Sequence, residues 1–94
     1  MSARRCVRVL ITGRVQGVGF RAWMRDQAIS RNLSGWVRNR PDGAVEAVFC
    51  GSPDVVEAMI ETCNEGPRWA NVAAVDVSEE RQWLNGAFTI LNQR

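Results

Sequence analysis

The order of two hydrophobic periodicities along this chain constrains its fold more than any other feature. Apolar residues alternate with polar ones in five segments, which we predict to be strands: 6–13, 36–39, 45–50, 75–77 and 88–90. Apolar residues spaced by three or four positions predict two helices. The first spans 20–32, with Asn32 as a left-handed cap, and the second begins at Pro53 and stops at Gly66-Pro67.

Strand, helix, strand, strand, helix, strand is the element order of the α+β, ferredoxin-like sandwich. Right-handed crossovers place both helices on one face of a mixed, mostly antiparallel sheet with the strand order 4-1-3-2. The short fifth strand adds to this βαββαβ unit. A length of 94 residues fits one domain, and we expect residues 1–94 to form it.

This topology brings together polar residues that are distant in the sequence. The third strand lies between the first two and runs antiparallel to both, so the carboxyl ends of strands one and two meet at one edge of the sheet. The loop 14–19, the start of the first helix and Asn39 should converge there. Asn39 lies two residues after Val37, and side chains two residues apart in a strand point to the same face. The side chain of Asn39 should therefore point to the helix-covered side, toward Arg21.

The loop contains several glycines and leads directly from a strand into a helix. Backbone N–H groups and the helix dipole at such a junction favour an anion. Arg21 lies in the first helical turn, where the dipole disfavours a cation, and a phosphate held between the loop and the guanidinium would resolve this conflict. On these residues alone, a glycine-rich turn with a solvated arginine is an equally good interpretation.

The segment from Gly17 to Ala22 also fits the GxGxxA fingerprint of dinucleotide-binding folds, with Asp42 about 20 residues further on. Asp42 belongs to a Pro-Asp-Gly hairpin turn, however, and the chain is too short for a full doubly wound sheet. We therefore reject a dinucleotide site.

Three residue types are missing: the chain contains no His, no Tyr and no Lys, so all twelve cationic side chains are Arg. The absence of His excludes a catalytic triad, a His base and a His-ligated metal. The absence of Lys excludes Schiff-base chemistry and a Walker lysine. Cys6, Cys50 and Cys63 lack metal-binding spacing, and no Cys begins a Cys-x5-Arg phosphatase loop. We expect no metal and no cofactor.

Three segments resemble the acylphosphatase family: 13–21, 35–39 with the Pro-Asp-Gly turn, and 66–67. The resemblance covers nearly the whole chain and implies a five-stranded ferredoxin-like sandwich that hydrolyses carboxyl-phosphate anhydrides. It also implies that Arg21 binds phosphate and that Asn39 orients the attacking water. The family's phosphate-cradling loop falls on six residues: Val15, Gln16, Gly17, Val18, Gly19 and Phe20.

The missing histidine agrees with this chemistry. An acyl phosphate expels a carboxylate, whose conjugate acid has a pKa of about 4, and such a leaving group needs no general acid. A phosphate monoester expels an alkoxide and normally needs a proton donor or a metal. Two alternatives stay open: a phosphate-binding module without catalysis, and a module that handles carbamoyl phosphate.

Composition bears on partners and location. The net charge is only +2, too small to favour a nucleic acid or an anionic membrane. Strands one and three carry no aromatic residue on their open faces on which bases could stack. No stretch resembles a signal peptide or a membrane span. We expect a monomeric, cytoplasmic protein that binds a small-molecule acyl phosphate, with no nucleic acid and no membrane as partner.

We expect the cysteines and tryptophans to have structural roles. Cys6 and Cys50 share the open face at paired ends of strands one and three, close enough for a disulfide. The alternative is two reduced thiols, which a reducing cytoplasm favours. Cys63 is expected in the core. The tryptophans are expected in the core or at its rim: Trp23, Trp36, Trp69 and Trp83.

Overall fold

A five-stranded sheet with both helices on one face forms the architecture of the computed structural model, which describes residues 3–91. The elements in chain order are β1 (Arg5–Arg14), α1 (Phe20–Ser30), β2 (Ser34–Asn39), β3 (Val45–Gly51), α2 (Pro53–Glu65), β4 (Asn71–Glu79) and β5 (Thr89–Ile90). β1 pairs with β3 and β4, and β2 pairs with β3, all antiparallel, whereas β5 runs parallel to β2. The resulting order, β4-β1-β3-β2-β5, confirms the predicted ferredoxin-like topology.

Two strands extend beyond their predicted limits by two residues or more, and β1 and β3 extend by one residue at an end. β2 begins at Ser34, before the alternating residues, and β4 covers 71–79 instead of 75–77. The long β1 provides the ladder that lengthens β4, and this pairing continues past an irregularity between Thr12 and Gly13. β4 is an edge strand with a largely exposed surface, so its ends carry no apolar alternation from which to predict them.

Both helices end next to the predicted stop residues. α1 ends at Ser30, slightly earlier than predicted, and Asn32 takes the left-handed conformation expected of the cap, with a φ of 58°. α2 ends at Glu65, and Gly66 caps it with a φ of 71°. Neither helix in the described range 3–91 is long and apolar enough to cross a membrane.

The buried core lies between the sheet and the helices. α1 contributes Phe20, Met24 and Ala28, which recur at the four-residue spacing seen in the sequence. Full burial of a large apolar side chain contributes about 1.5–3 kcal/mol. Phe20 is the first residue of α1 and is almost completely buried, so its packing holds the amino end of this helix against the sheet.

Two of the four tryptophans are not core residues. Trp69 is 72% exposed and Trp83 is 56% exposed, so the expectation is wrong for both. Both lie outside the helices and strands, where no periodicity relates a residue to the core. The guanidinium of Arg68 covers one face of Trp69, at 5.5 Å from the ring centroid.

Glu46 joins the three central strands on the open face of the sheet. Its side chain is only 5% exposed, and it accepts hydrogen bonds from Arg8 on β1 and Arg38 on β2. Burial opposes ionisation of this carboxyl group, but the hydrogen bonds from the two arginines outweigh it, so the pKa of Glu46 lies below its ordinary value. The ionised carboxylate thus helps to hold together β1 and β2, the strands that lead to the predicted site.

Cys6 and Cys50 lie opposite each other in the β1–β3 ladder and are joined by a disulfide. They are located at the start of β1 and near the end of β3, far along these strands from the predicted site. Cys63 has a free thiol and is buried in α2, as expected.

We expect one free thiol per chain when the unfolded protein is titrated without reductant, because only Cys63 is unbonded among the three cysteines. Titration after full reduction is the control and should give three. A count of three before reduction would rule out the disulfide.

Candidate active site

A pocket of about 260 Å³ opens at the edge of the sheet where β1 and β2 end. Its lining comes from the loop after β1, the first turn of α1, and the ends of β2 and β5: Val15, Gln16, Gly17, Gly19, Phe20, Arg21, Ala22, Asn39 and Ile90. Asn39 therefore lies beside the loop and Arg21, at the edge that the predicted topology indicated. Val18 lies in the same loop, but its half-buried side chain packs against the core.

Gly17 and Gly19 give the loop its path from β1 into α1. Both have left-handed backbones, with φ values of 75° and 78°. A Cβ atom at either position would meet no atom within 4 Å, so glycine is required by the backbone and not by a lack of space. Most other residues in this conformation cost roughly 1–2 kcal/mol.

The amino end of α1 has no neutralising side chain of its own. Gly19 caps the helix without a side-chain hydrogen bond, and the first turn contains no acidic residue. The main-chain N–H of Trp23 donates to the Gly19 carbonyl at 3.1 Å, and the main-chain N–H groups that precede it in the helix have no partner within the helix. In α2, by contrast, Pro53 removes one N–H and Asp54 offsets the dipole. The start of α1 is therefore the helix end that suits an anion.

Arg21 and Asn39 are half-buried polar residues that line this pocket together with Gln16. Within residues 3–91, neither side chain forms a hydrogen bond or an ion pair. Most other arginines in that range do form them: Arg4, Arg5, Arg8, Arg25, Arg31, Arg38 and Arg40. The guanidinium of Arg21 and the amide of Asn39 thus keep their bonding capacity for a ligand.

Gln16 makes a contact that the sequence did not predict. Its Nε2 atom donates to the carbonyl oxygens of Arg40 and Ala44, each at 2.9 Å. Both carbonyls lie in the turn that directly follows Asn39. The sequence carries no signal for this contact, because the acceptors are main-chain atoms positioned by a distant hairpin.

Two further pocket residues were not predicted. Ala22 follows Arg21 in the first turn of α1, so the helical prediction could have included it. Ile90 reaches the pocket because β5 pairs in parallel with β2, with Ile90 opposite Val37. A two-residue strand has too little pattern to indicate its partner.

The cysteines supply no thiolate to this pocket. Burial raises the pKa of the Cys63 thiol to about 12, so it is protonated at neutral pH. Cys6 and Cys50 are bonded to each other. Within the described part of the chain, no three side chains of the kinds that bind metals lie together.

A model of the acylphosphatase family matches residues 7–90 of the chain. The chain belongs to this family. An acylphosphatase of Azorhizobium caulinodans is 54% identical to it over 68 residues, which are 72% of this chain and 73% of the relative. An acylphosphatase of Trichormus variabilis is 54% identical over 81 residues, which are 85% of this chain and 80% of the relative.

Solved structures agree with membership of the acylphosphatase family. An acylphosphatase from Coxiella burnetii superimposes with a TM-score of 0.90 at 36% identity, covering 94% of this chain and 93% of that one. Full-length HypF in a phosphate- and nucleotide-bound form superimposes with a TM-score of 0.90 at 26% identity, but the match covers only 12% of that chain. The family and the fold that the sequence indicated are both confirmed.

Proposed function

We propose that the chain hydrolyses acyl phosphates to a carboxylate and inorganic phosphate, through Arg21, Asn39 and the loop between β1 and α1. Membership of the acylphosphatase family supports the reaction class. The observation that carries the assignment of residues is the pocket, because it combines an uncapped helix start, an arginine and an amide with unused bonding capacity.

The phosphoryl group binds at the amino end of α1. Arg21 contacts two of its oxygens through the guanidinium, and such bidentate contacts are strong and directional. Main-chain N–H groups of the loop surround the remaining oxygens and offset the charge that develops in the transition state. These N–H groups belong to Val15, Gln16, Gly17, Val18, Gly19 and Phe20.

Asn39 orients the attacking water through its side-chain amide. The water oxygen forms a bond to phosphorus while the bond from phosphorus to the acyl oxygen breaks, and the electron pair leaves with the carboxylate. The proton of the water passes to a phosphoryl oxygen of the substrate. Because the carboxylate is a weak base, with a conjugate-acid pKa of about 4, it departs without a general acid.

The direct test is hydrolysis of benzoyl phosphate in the presence of a chelator, compared with phenyl phosphate under the same conditions. We expect turnover of benzoyl phosphate that the chelator does not reduce. Phenyl phosphate should react slower by about two to four orders of magnitude, the contribution that a general acid would supply to its leaving group.

A folded wild-type protein that turns over no benzoyl phosphate would contradict the proposal and would leave a phosphate-binding module. Carbamoyl phosphate is the third substrate of the comparison. Turnover of carbamoyl phosphate without turnover of benzoyl phosphate would restrict the function to a carbamoyl-phosphate-handling module.

A further inference from the structure

We propose that the side chain of Gln16 is a positioning residue for the reaction: it fastens the phosphate-binding loop to the hairpin that carries Asn39. This inference rests on the proposed function, and it concerns the side-chain amide alone. The main-chain N–H of residue 16 belongs to the phosphate cradle and is present whichever side chain stands there.

The contact uses both N–H bonds of the Gln16 amide. Nε2 lies 2.9 Å from the carbonyl oxygen of Arg40 and 2.9 Å from that of Ala44. The same two carbonyls close the turn, since Ala44 O accepts from Arg40 N at 2.8 Å and Arg40 O accepts from Gly43 N at 3.1 Å. The amide of Gln16 therefore binds across the base of the turn that begins immediately after Asn39.

No other hydrogen bond in residues 3–91 joins the loop 15–19 to the turn 40–44. The β1–β3 ladder stops at Ile11 paired with Val45, before either segment begins. The remaining side-chain hydrogen bonds of the turn are internal to it, between Asp42 and its neighbours Arg40 and Ala44. Arg40 also forms a long ion pair, at 3.9 Å, with Glu46 on β3, which does not involve the loop. Within residues 3–91, Gln16 thus makes the polar connection between the two halves of the site: the loop 15–19 that leads to Arg21, and the hairpin that carries Asn39.

The two halves have different anchors without this connection. Arg21 follows Phe20, whose burial holds the start of α1 against the core. Asn39 is the last residue of β2, paired with Val45, and the tip of the turn that follows it, residues 41–43, is exposed. Loss of the Gln16 amide should therefore leave phosphate binding largely intact and loosen the placement of the water relative to phosphorus, on which the rate depends strongly.

The test compares Gln16→Leu and Gln16→Glu with the wild type, using benzoyl phosphate as substrate and inorganic phosphate as competitive inhibitor. Both variants remove the two donors. Gln16→Glu keeps the length of the side chain but places a carboxylate against two carbonyl oxygens, whereas Gln16→Leu is shorter and uncharged. We expect kcat to fall about tenfold to a hundredfold, the range that a misplacement of about 1 Å produces. The inhibition constant of phosphate should change by less than about threefold, as for a residue that acts on the transition state alone.

Gln82→Leu is the matched control, because Gln82 is exposed and outside the pocket. Its kcat should equal that of the wild type. Thermal unfolding of each variant identifies any that is not folded at the assay temperature, and the other Gln16 variant then gives the result. An unchanged kcat in a folded Gln16 variant would overturn the inference.

A double-mutant cycle with Asn39→Ala separates positioning from a general structural effect. If Gln16 acts through Asn39, Gln16→Leu should cost less than about threefold in kcat when Asn39 is already absent. The same loss in both backgrounds would overturn the inference and leave the proposed function intact. An inactive wild type would instead refute the proposed function itself.

Discussion

Arg21→Ala is expected to lower kcat/KM for benzoyl phosphate by about a thousandfold, the loss of two charge-assisted hydrogen bonds of roughly 1.5–3 kcal/mol each. The reason is that the Arg21 guanidinium and the start of α1 attract the same anion, because this helix start has neither a capping side chain nor an acidic residue. The affinity for inorganic phosphate should fall together with the rate, because the proposed contact of Arg21 is made to the phosphoryl group in the ground state as well as in the transition state. Steady-state kinetics with phosphate as a competitive inhibitor measure both effects.

Two further variants make this result specific. Arg21→Lys keeps the charge but loses the planar fork, so it should recover only part of the activity. Arg25→Ala removes another arginine of α1, which pairs with Asp26 at 3.5 Å and does not line the pocket, and should leave kcat/KM unchanged. A folded Arg21→Ala protein with wild-type kcat/KM would remove Arg21 from the site.

Asn39→Ala is expected to lower kcat about a hundredfold if the amide positions the attacking water. The inhibition constant of inorganic phosphate should stay close to that of the wild type, because the loop and Arg21 remain in place. This separation of kcat from phosphate affinity distinguishes Asn39 from Arg21. It is measured with the same substrate and inhibitor.

Asn85→Ala is the control for the loss of an asparagine side chain, since Asn85 is exposed and lies outside the pocket. It should show wild-type kcat. Wild-type kcat in a folded Asn39→Ala protein would exclude Asn39 from the reaction, and a parallel loss of phosphate affinity would assign it to binding and not to the water.

The approach of Asn39 to Arg21 could be predicted from the sequence for a definite physical reason. Alternation along β2 gives the face on which Asn39 lies, and the right-handed crossover gives the edge at which β1 and β2 end. Neither step needs side-chain detail. The cap at Asn32 was predictable in the same way, because a left-handed residue after a helix is a local property.

The contact of Gln16, the position of Ile90 and the exposure of Trp69 were not predictable in this way. Gln16 binds main-chain oxygens of a distant turn, and Ile90 reaches the pocket through a parallel pairing of two residues. Trp69 lies in a segment without periodicity, so its large apolar surface alone wrongly indicated burial.

The sequence by itself determined the elements, the order of the first four strands in the sheet, the family and the edge at which the polar residues meet. These follow from periodicity, chain chirality and local motifs, which act over a few residues or through topology alone. Only the tertiary structure decided which atoms meet there: the Gln16 amide at the base of the turn after Asn39, and Ile90 at the pocket wall. Such contacts depend on how segments far apart in the chain pack against each other, and a local sequence pattern does not predict that packing.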